Sequence, residues 1–422
     1  MNLHNSKISV FGLGYIGLPT AAVLASVGHE VIGVDVCQQI VDTVNRGEVH
    51  IVEPDLDGLV RGAVIAGRLR AVTRAEPADI FIIAVPTPFM GNKKPDLAFI
   101  EAATRAIAPQ LNPGNLVILE STSPVGTTEK VAHWLAQSRP DLSFPGSIDV
   151  APDIHLAYCP ERVLPGSIVL ELVRNDRVIG GLTANCTERA VQLYATFVRG
   201  RCVKTDARTA EMTKLTENAF RDVNIAFANE LSVICDQLGV NVWDLITLAN
   251  LHPRVNILNP GPGVGGHCIA VDPWFIVDSA PDVARMIRTA REVNDGKPHW
   301  VVAKIERAVE DLKDRRSGAV KIACLGLAFK ANIDDLRESP AVEIVKHLLL
   351  ASSVSGLLIV EPYIDRLPLD LQGNPTAALV EIEVALRDAD IVVLLVDHSH
   401  FNSITADQLA EKVVVDTRGF WR

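Results

Sequence analysis

The strongest restriction on how this chain can fold lies in its first 35 residues. A β-branched run from Lys7 to Phe11 leads straight into Gly12-Leu13-Gly14-Tyr15-Ile16-Gly17, and an Ala- and Leu-rich segment, Pro19 to Ser26, follows. A second β-branched run, Glu30 to Val34, then ends on Asp35. Strand, glycine turn, helix and strand in so short a span make a βαβ unit, because parallel strands need such a crossover. In that unit Gly12 takes the tight turn, Gly14 lets a pyrophosphate approach the backbone, and Gly17 permits close helix packing. The helix N-terminus offers N–H groups to the phosphates. A carboxylate at Asp35 accepts hydrogen bonds from a ribose diol and repels a 2′-phosphate, which favours NAD over NADP. A lone glycine turn of this kind can be purely structural. The flanking strands and Asp35 are what point to a dinucleotide.

The alternation continues with strands expected at Ile80–Val85, Leu116–Leu119, His155–Tyr158 and Arg177–Ile179, and a helix at Ala98–Ile107. Met90–Pro95 and Ser138–Pro152 read as exposed loops. From Asp206 the pattern changes. Thr209 to Leu238 contains neither Gly nor Pro, which predicts one helix of roughly 45 Å, N-capped by Asp206 and stopped by Gly239. Phe220, Ile225 and Phe227 suggest that much of it is buried. Helices are expected at Trp243–Asn250 and Ala284–Val293, and Lys313–Arg316 with Ser317-Gly318 reads as a linker. A second α/β region follows, with strands at Lys321–Leu325, Leu357–Val360, Ile391–Val396 and Val413–Val415 and a helix opened by Ser339-Pro340 and running to Leu350. The expected fold class is α/β: two Rossmann-like doubly wound domains, joined by a long central helix and a helical dimerisation region. The expected divisions are a dinucleotide-binding domain at 1–205, a central helical domain at 206–312 and a second Rossmann-like domain at 318–422. A helix this long exceeds what one small domain requires, so it is also expected to form a homodimer interface.

Lys plus Arg number 40 against 51 for Asp plus Glu, a net charge of −11, which argues against nucleic acid or an anionic membrane as partner. An anionic ligand must therefore be held by locally clustered cations and backbone N–H groups. The seven cysteines are scattered and include no C-x-x-C pair, so neither a disulfide framework nor a metal site is expected. Strand and glycine turn come too early to leave a signal-peptide core, and apolar runs such as Ile391–Val396 are far too short to span a bilayer, so the protein is expected in the cytoplasm and not in a membrane.

The residues that carry chemistry are less regular. Cys268 lies in Gly263-Val-Gly-Gly-His-Cys-Ile-Ala-Val-Asp-Pro273, where glycines would let a thiol approach a ligand. A nucleophilic thiol beside a hydride acceptor is equipment for oxidising an aldehyde to the level of an acid. The same cysteine could be a small hydrophobe in a turn. Lys214, Asn218 and Arg221 fall on one helix face, a pattern that a solvated polar stripe shares. Glu161 and Arg162 stand just beyond a strand end, the usual place for ligand contact in such sheets. His252, Arg254, Lys330 and Arg337 put further cations in loops, where ordinary surface charge would look the same. His267 reads as structural.

Five motifs in this order, Gly12–Gly17, Glu120-Ser-Thr-Ser-Pro-Val-Gly126, Cys159-Pro-Glu-Arg162, Lys214-Leu-Thr-Glu-Asn218 and Gly265-Gly-His-Cys268, resemble those of the UDP-glucose/GDP-mannose dehydrogenase family. The resemblance covers essentially the whole chain. It departs from the glucose enzymes after the cysteine, where Phe-Pro-Lys-Asp is usual and Ile269-Ala-Val-Asp272 stands here; with His252-Pro-Arg-Val-Asn-Ile257 this is similar to the N-acetylhexosamine branch. The resemblance implies oxidation of a C6 alcohol to a carboxylate with two NAD consumed per sugar. It makes Cys268 the nucleophile that passes through a thiohemiacetal and a thioester, with Lys214 and Asn218 stabilising the oxyanion. Asp272, Glu161 and a water near Thr122 are candidates for proton transfer and hydrolysis, and the sequence does not choose among them. For the cofactor it implicates Tyr15, Ile16, Asp35, Thr87 and Thr128 beside the glycines. For the UDP-sugar it implicates Arg162, Val163, Lys214, Asn218, Arg221, His252, Arg254, Gly265, Lys330 and Arg337, with His252 and Arg254 expected from the other subunit of a dimer. The alternatives are a 6-dehydrogenase for UDP-N-acetylglucosamine or UDP-glucose, a single-step NAD dehydrogenase that does not use Cys268, and a non-catalytic NAD-binding protein.

Overall fold

The computed structural model describes residues 5–91, 93–146, 152–164, 166–315, 318–350 and 354–421. The chain forms two compact units, Met1–Glu217 with Asp278–Ala280, and Asn218–Val277 with Pro281–Arg422.

The first unit is built on an eight-stranded sheet of β1 (Lys7–Phe11), β2 (Glu30–Val34), β3 (Leu69–Val72), β4 (Ile80–Ile83), β5 (Leu116–Leu119), β6 (His155–Tyr158), β7 (Arg177–Gly181) and β8 (Cys202–Asp206), in the order β3-β2-β1-β4-β5-β6-β7-β8. Within this sheet, among the described residues, β6 and β7 pair antiparallel and the other neighbours parallel. Strand order reverses between β1 and β4, the switch point at which open α/β sheets bind ligands. The connecting helices are α1 (Gly17–Ser26), α2 (Gln38–Asn45), α3 (Leu56–Ile65), α4 (Ala98–Ile107), α5 (Thr127–Ser138), α6 (Ile168–Arg174) and α7 (Ala184–Tyr194). Successive strand residues feed opposite cores: Ile80, Ile82, Leu116 and Ile118 join Leu18 and Leu24 on one face, while Phe81, Ile83, Val117 and Leu119 join Ile107 and Leu135 on the other. Burial on both faces explains why these strands read as continuous apolar runs.

The chain continues as α8 (Ala207–Leu238), α9 (Val242–Ala249), α10 (Asp272–Ser279) and α11 (Arg285–Arg315), followed by β9 (Val320–Leu325), α12 (Pro340–Leu350), β10 (Val354–Val360), β11 (Ala377–Leu379), α13 (Ile382–Asp388), β12 (Ile391–Leu394), α14 (Ala406–Leu409) and β13 (Val413–Asp416). The five strands of the second unit form a parallel sheet in the order β11-β10-β9-β12-β13. Ile322 and Cys324 face one core, Ala323 and Leu325 the other. Among the described residues no helix is long and apolar enough to cross a membrane.

Asp206 caps α8 as expected, its Oδ1 accepting from the Thr209 N–H at 2.9 Å, and Gly239 ends it with φ of +68°. Two expectations fail. Helix α11 runs through Arg315, so Lys313–Arg315 are its last turn, where cations complement the helix dipole, and not a linker; residues 316 and 317 lie outside the described residues, as do residue 92 and residues 147–151 of the two expected loops. Second, Phe220 and Phe227 do not bury α8: they are 67% and 52% exposed. The positions α8 buries completely include the polar Glu211, Asp222 and Asn229 beside Leu215 and the small Ala210 and Ala228.

A Cβ on Gly17 would stand 1.8 Å from the Gly12 carbonyl oxygen. Gly17→Ala is therefore expected to destabilise the protein by at least about 2 kcal/mol in denaturant unfolding; a loss below about 0.5 kcal/mol would contradict the packing role.

Candidate active site

The glycine turn separates its roles in space. Gly12 has φ of +88°, and a Cβ there would lie 2.6 Å from the Ala84 oxygen. Gly12 and Gly17 are thus required by protein packing, whereas a Cβ on Gly14 would meet no atom within 4 Å. That open edge fits a pyrophosphate. No side chain caps the start of α1 at Ile16, which leaves this helix terminus available to an anion. Asp35 is oriented by two backbone donors, Leu13 N–H and Cys37 N–H, each at 2.9 Å. Tyr15 is exposed beside the turn. Across the switch point Thr87 donates to the Thr122 carbonyl at 2.5 Å, joining the loops after β4 and β5. These features fit a dinucleotide. Thr128 stands apart: it is buried, and its hydroxyl and N–H both donate to Glu211 Oε1 at 2.7 and 2.8 Å, while Gly126 N–H donates to Oε2. Glu211 thereby anchors the start of α5 to α8, a role that nothing in the sequence pattern revealed.

Past β6 lies a buried ionic cluster. Glu161 is 5% exposed; its Oε2 accepts the Val163 N–H at 2.6 Å and its Oε1 lies 3.8 Å from Arg177 Nη1. Burial raises its pKa, against the opposing charges of Arg177 and Lys214. Lys214 is half-buried, and its charge reaches Glu161. Arg177 also faces Glu120, which burial raises in the same way and which accepts the Tyr194 hydroxyl at 2.5 Å. Sequence reasoning missed Arg177, since a cation opening a strand looks like surface. Arg162, expected to meet substrate, pairs with Glu217 at 2.6 Å and donates to the Asp176 carbonyl at 3.1 Å.

In the second unit the cysteine loop is pinned at both ends. Arg291 donates to Asp222 Oδ1 at 2.6 Å, Asn294 donates to the same oxygen at 2.8 Å, and Asn229 donates to Asn294 Oδ1 at 2.8 Å. Asn229 Oδ1 then accepts the Gly261 N–H at 2.8 Å, where the loop begins. After the loop, Cys268 O accepts the N–H groups of Val271 and Asp272 at 3.0 and 2.8 Å. Asp272 heads α10, is 3% exposed, and accepts from Asn218 Nδ2 at 2.5 Å. The structure thus brings Asn218, Asp272 and the Cys268 backbone together. The glycines also have a packing reason that the sequence did not show. A Cβ on Gly265 would lie 2.5 Å from the Glu338 oxygen and 2.8 Å from Phe329 and Pro340, and one on Gly266 (φ +82°) would lie 2.8 Å from the Phe329 ring. Close protein packing demands glycine at both positions. Cys268 itself is half-exposed. Cys159 and Cys324, by contrast, are pushed up to about 12 by burial and are inert as thiolates.

Arg221, His252, Arg254, Lys330 and Arg337 are all exposed cationic or imidazole side chains of this unit, and Arg337 is paired with Asp335 at 2.6 Å. The loop carrying Lys330 is held by Glu361, whose Oε2 accepts Leu327 N–H at 2.6 Å, Ala328 N–H at 2.9 Å and His398 Nε2 at 3.1 Å. Burial pushes the Glu361 carboxyl up, but these donors outweigh it and hold its pKa below the ordinary 4.5.

Three consecutive stretches match the UDP-glucose/GDP-mannose dehydrogenase family: its NAD binding domain over residues 6–198, its central domain over 208–296 and its UDP binding domain over 323–422. An NDP-N-acetyl-D-galactosaminuronic acid dehydrogenase of Ralstonia nicotianae is 64% identical over 98% of this chain and 96% of its own length. A UDP-N-acetyl-D-mannosamine dehydrogenase of Escherichia coli is 61% identical over 99% of both chains. Among solved structures, a UDP-D-ManNAc dehydrogenase from Pyrococcus horikoshii superposes with a TM-score of 0.88 at 38% identity, over 99% of this chain and 96% of that one.

Two variants test the framework. Arg291→Met leaves Asp222 buried without its cation and is expected to cost about 3–5 kcal/mol in denaturant unfolding; a change under about 1 kcal/mol would show that the pair does not organise the loop. The depressed Glu361 carboxylate stabilises the fold above pH 4.5, and that contribution is lost as pH falls through its lowered folded-state value. Glu361→Gln should therefore lower the unfolding midpoint near neutral pH, with the gap to the parent closing under acid. A gap constant from pH 7 to pH 3 would contradict the assignment.

Proposed function

The chain belongs to the UDP-glucose/GDP-mannose dehydrogenase family, and we propose that it oxidises the C6 alcohol of UDP-N-acetyl-D-mannosamine to the uronate, a cytoplasmic step that supplies bacterial surface polysaccharides such as enterobacterial common antigen. NAD, when bound, takes up one hydride in each of two oxidations. Cys268 adds through its thiolate to the C6 aldehyde formed by the first, giving a thiohemiacetal. Loss of the second hydride leaves a thioester, and water displaces the thiolate to release the acid. The tether keeps the half-oxidised sugar in place while spent cofactor is exchanged. Lys214 and Asn218 stabilise the oxyanion of the thiohemiacetal and of the hydrolysis step. Glu161, with its raised pKa, serves as proton carrier, and Asp272 fixes the amide of Asn218. Arg221, His252, Arg254, Lys330 and Arg337 neutralise the diphosphate that an acidic protein would otherwise repel.

The observation that carries this reading is the frame around Cys268: a half-exposed thiol in a loop tied to Asn229 and followed by the buried Asn218–Asp272 pair. The mannosamine assignment is supported by relatives of that name at 60–61% identity. The Ralstonia relative favours a second reading, oxidation of the corresponding N-acetylgalactosamine nucleotide. A homodimer through α8 is supported by Phe220, Phe227 and Ile234, which recur at seven-residue spacing and stand 67%, 52% and 44% exposed.

Purified protein assayed with NAD and UDP-N-acetylmannosamine, UDP-N-acetylgalactosamine, UDP-N-acetylglucosamine and UDP-glucose is expected to form two NADH per sugar and to favour the first. A preference for the galactosamine nucleotide would select the second reading; one NADH per sugar would contradict both. Cys268→Ser is expected to lose uronate formation by at least about a thousand-fold while still binding cofactor and sugar nucleotide. Normal turnover by that variant would refute the covalent route.

A further inference from the structure

Away from the cysteine loop's own chemistry, two histidines and a glutamate converge on the surface of the second unit. His299 lies on α11, and Glu343 and His347 lie one turn apart on α12, so the latter pair shares a face. The Nε2 atoms of both histidines stand 3.9 Å from the same oxygen, Glu343 Oε1. The two rings meet edge to face with centroids 4.7 Å apart, and one donor atom from each of the three residues lies within 4.8 Å of the others. At 3.9 Å neither imidazole is hydrogen-bonded to the carboxylate.

We propose that His299, Glu343 and His347 form a binding site for a divalent transition-metal ion of the Zn2+, Co2+ or Ni2+ class, which clamps α11 to α12. Two imidazole nitrogens and one carboxylate oxygen suit these borderline ions better than Mg2+ or Ca2+, which prefer all-oxygen shells. Bonds of about 2.1 Å place tetrahedral ligands roughly 3.4 Å apart, so the three donors need only modest side-chain rotation to close on an ion. They are free to do so: their side chains are 60%, 45% and 39% exposed, which also leaves the remaining coordination positions to water. A proton on either histidine competes for the same place, so binding weakens as the imidazoles become charged.

The position has consequences for the cysteine loop. His299 directly follows Pro298, and Pro340 opens α12 three residues before Glu343. These two prolines are the groups a Cβ on Gly263 would touch, at 3.2 and 2.9 Å. An ion here braces the two helices against which the turn from Gly263 is lodged.

Equilibrium dialysis of the full chain against Co2+ at neutral pH, with visible absorption as the coordination readout, tests the site. The parent protein should bind Co2+ and gain in thermal midpoint; His299→Ala and His347→Ala should each weaken that binding at least about tenfold and abolish the gain. Affinity unchanged in both variants, as binding at a cysteine thiolate would give, or no bound Co2+ in the parent at millimolar concentration, would overturn the proposal.

Discussion

A guanidinium and a carboxylate sealed from water set the conditions for everything else in the second unit. Arg291 and Asp222 are 1% and 0% exposed, and each is useful only because the other is present. Asn294 and Asn229 extend the pair into a chain of hydrogen bonds that runs from α11 across α8 and ends on the Gly261 N–H. Removing either charge would leave the other buried and uncompensated, so the pair and its amides hold α11 against α8. The cysteine loop inherits that arrangement at one end. At the other, glycines at 265 and 266 press against Phe329, Glu338 and Pro340, leaving no space for a side chain.

Burial also distinguishes the cysteines from one another. Cys159 and Cys324 are buried, which pushes both thiols up to about 12, whereas Cys268 sits half-exposed in its loop. Glu161 is raised by burial yet kept within reach of Arg177 and Lys214, a balance suited to moving a proton rather than simply bearing a charge. Asp35, by contrast, is fixed by two backbone donors at the end of β2.

Much of this was readable from the chain. β1, β2, β5 and β6 fall at the bounds read from their mostly apolar runs, because strands buried on both faces have no polar face to blur them. The glycine turn announced itself through its spacing, and the cap and stop of α8 through Asp206 and Gly239. What remained hidden was long-range. Arg177, Glu211, Asn229 and Arg291 are polar residues whose partners lie far off in sequence, and periodicity treats each as surface. Conversely, Phe220 and Phe227 read as core because apolar residues usually are, while the helix buries its carboxylates and amides instead. The glycines before Cys268 were visible, but their packing partners were not, since these lie at Pro298 and in residues 329–340.

The most direct test of the covalent route is to catch it. The protein is mixed with UDP-N-acetylmannosamine and NAD, quenched in acid during turnover, digested, and mapped by mass spectrometry. The account predicts a sugar-nucleotide uronoyl adduct on the peptide containing Cys268 and on no other cysteine. Uronate forming steadily with that peptide unmodified, or with the adduct on a different residue, would contradict it.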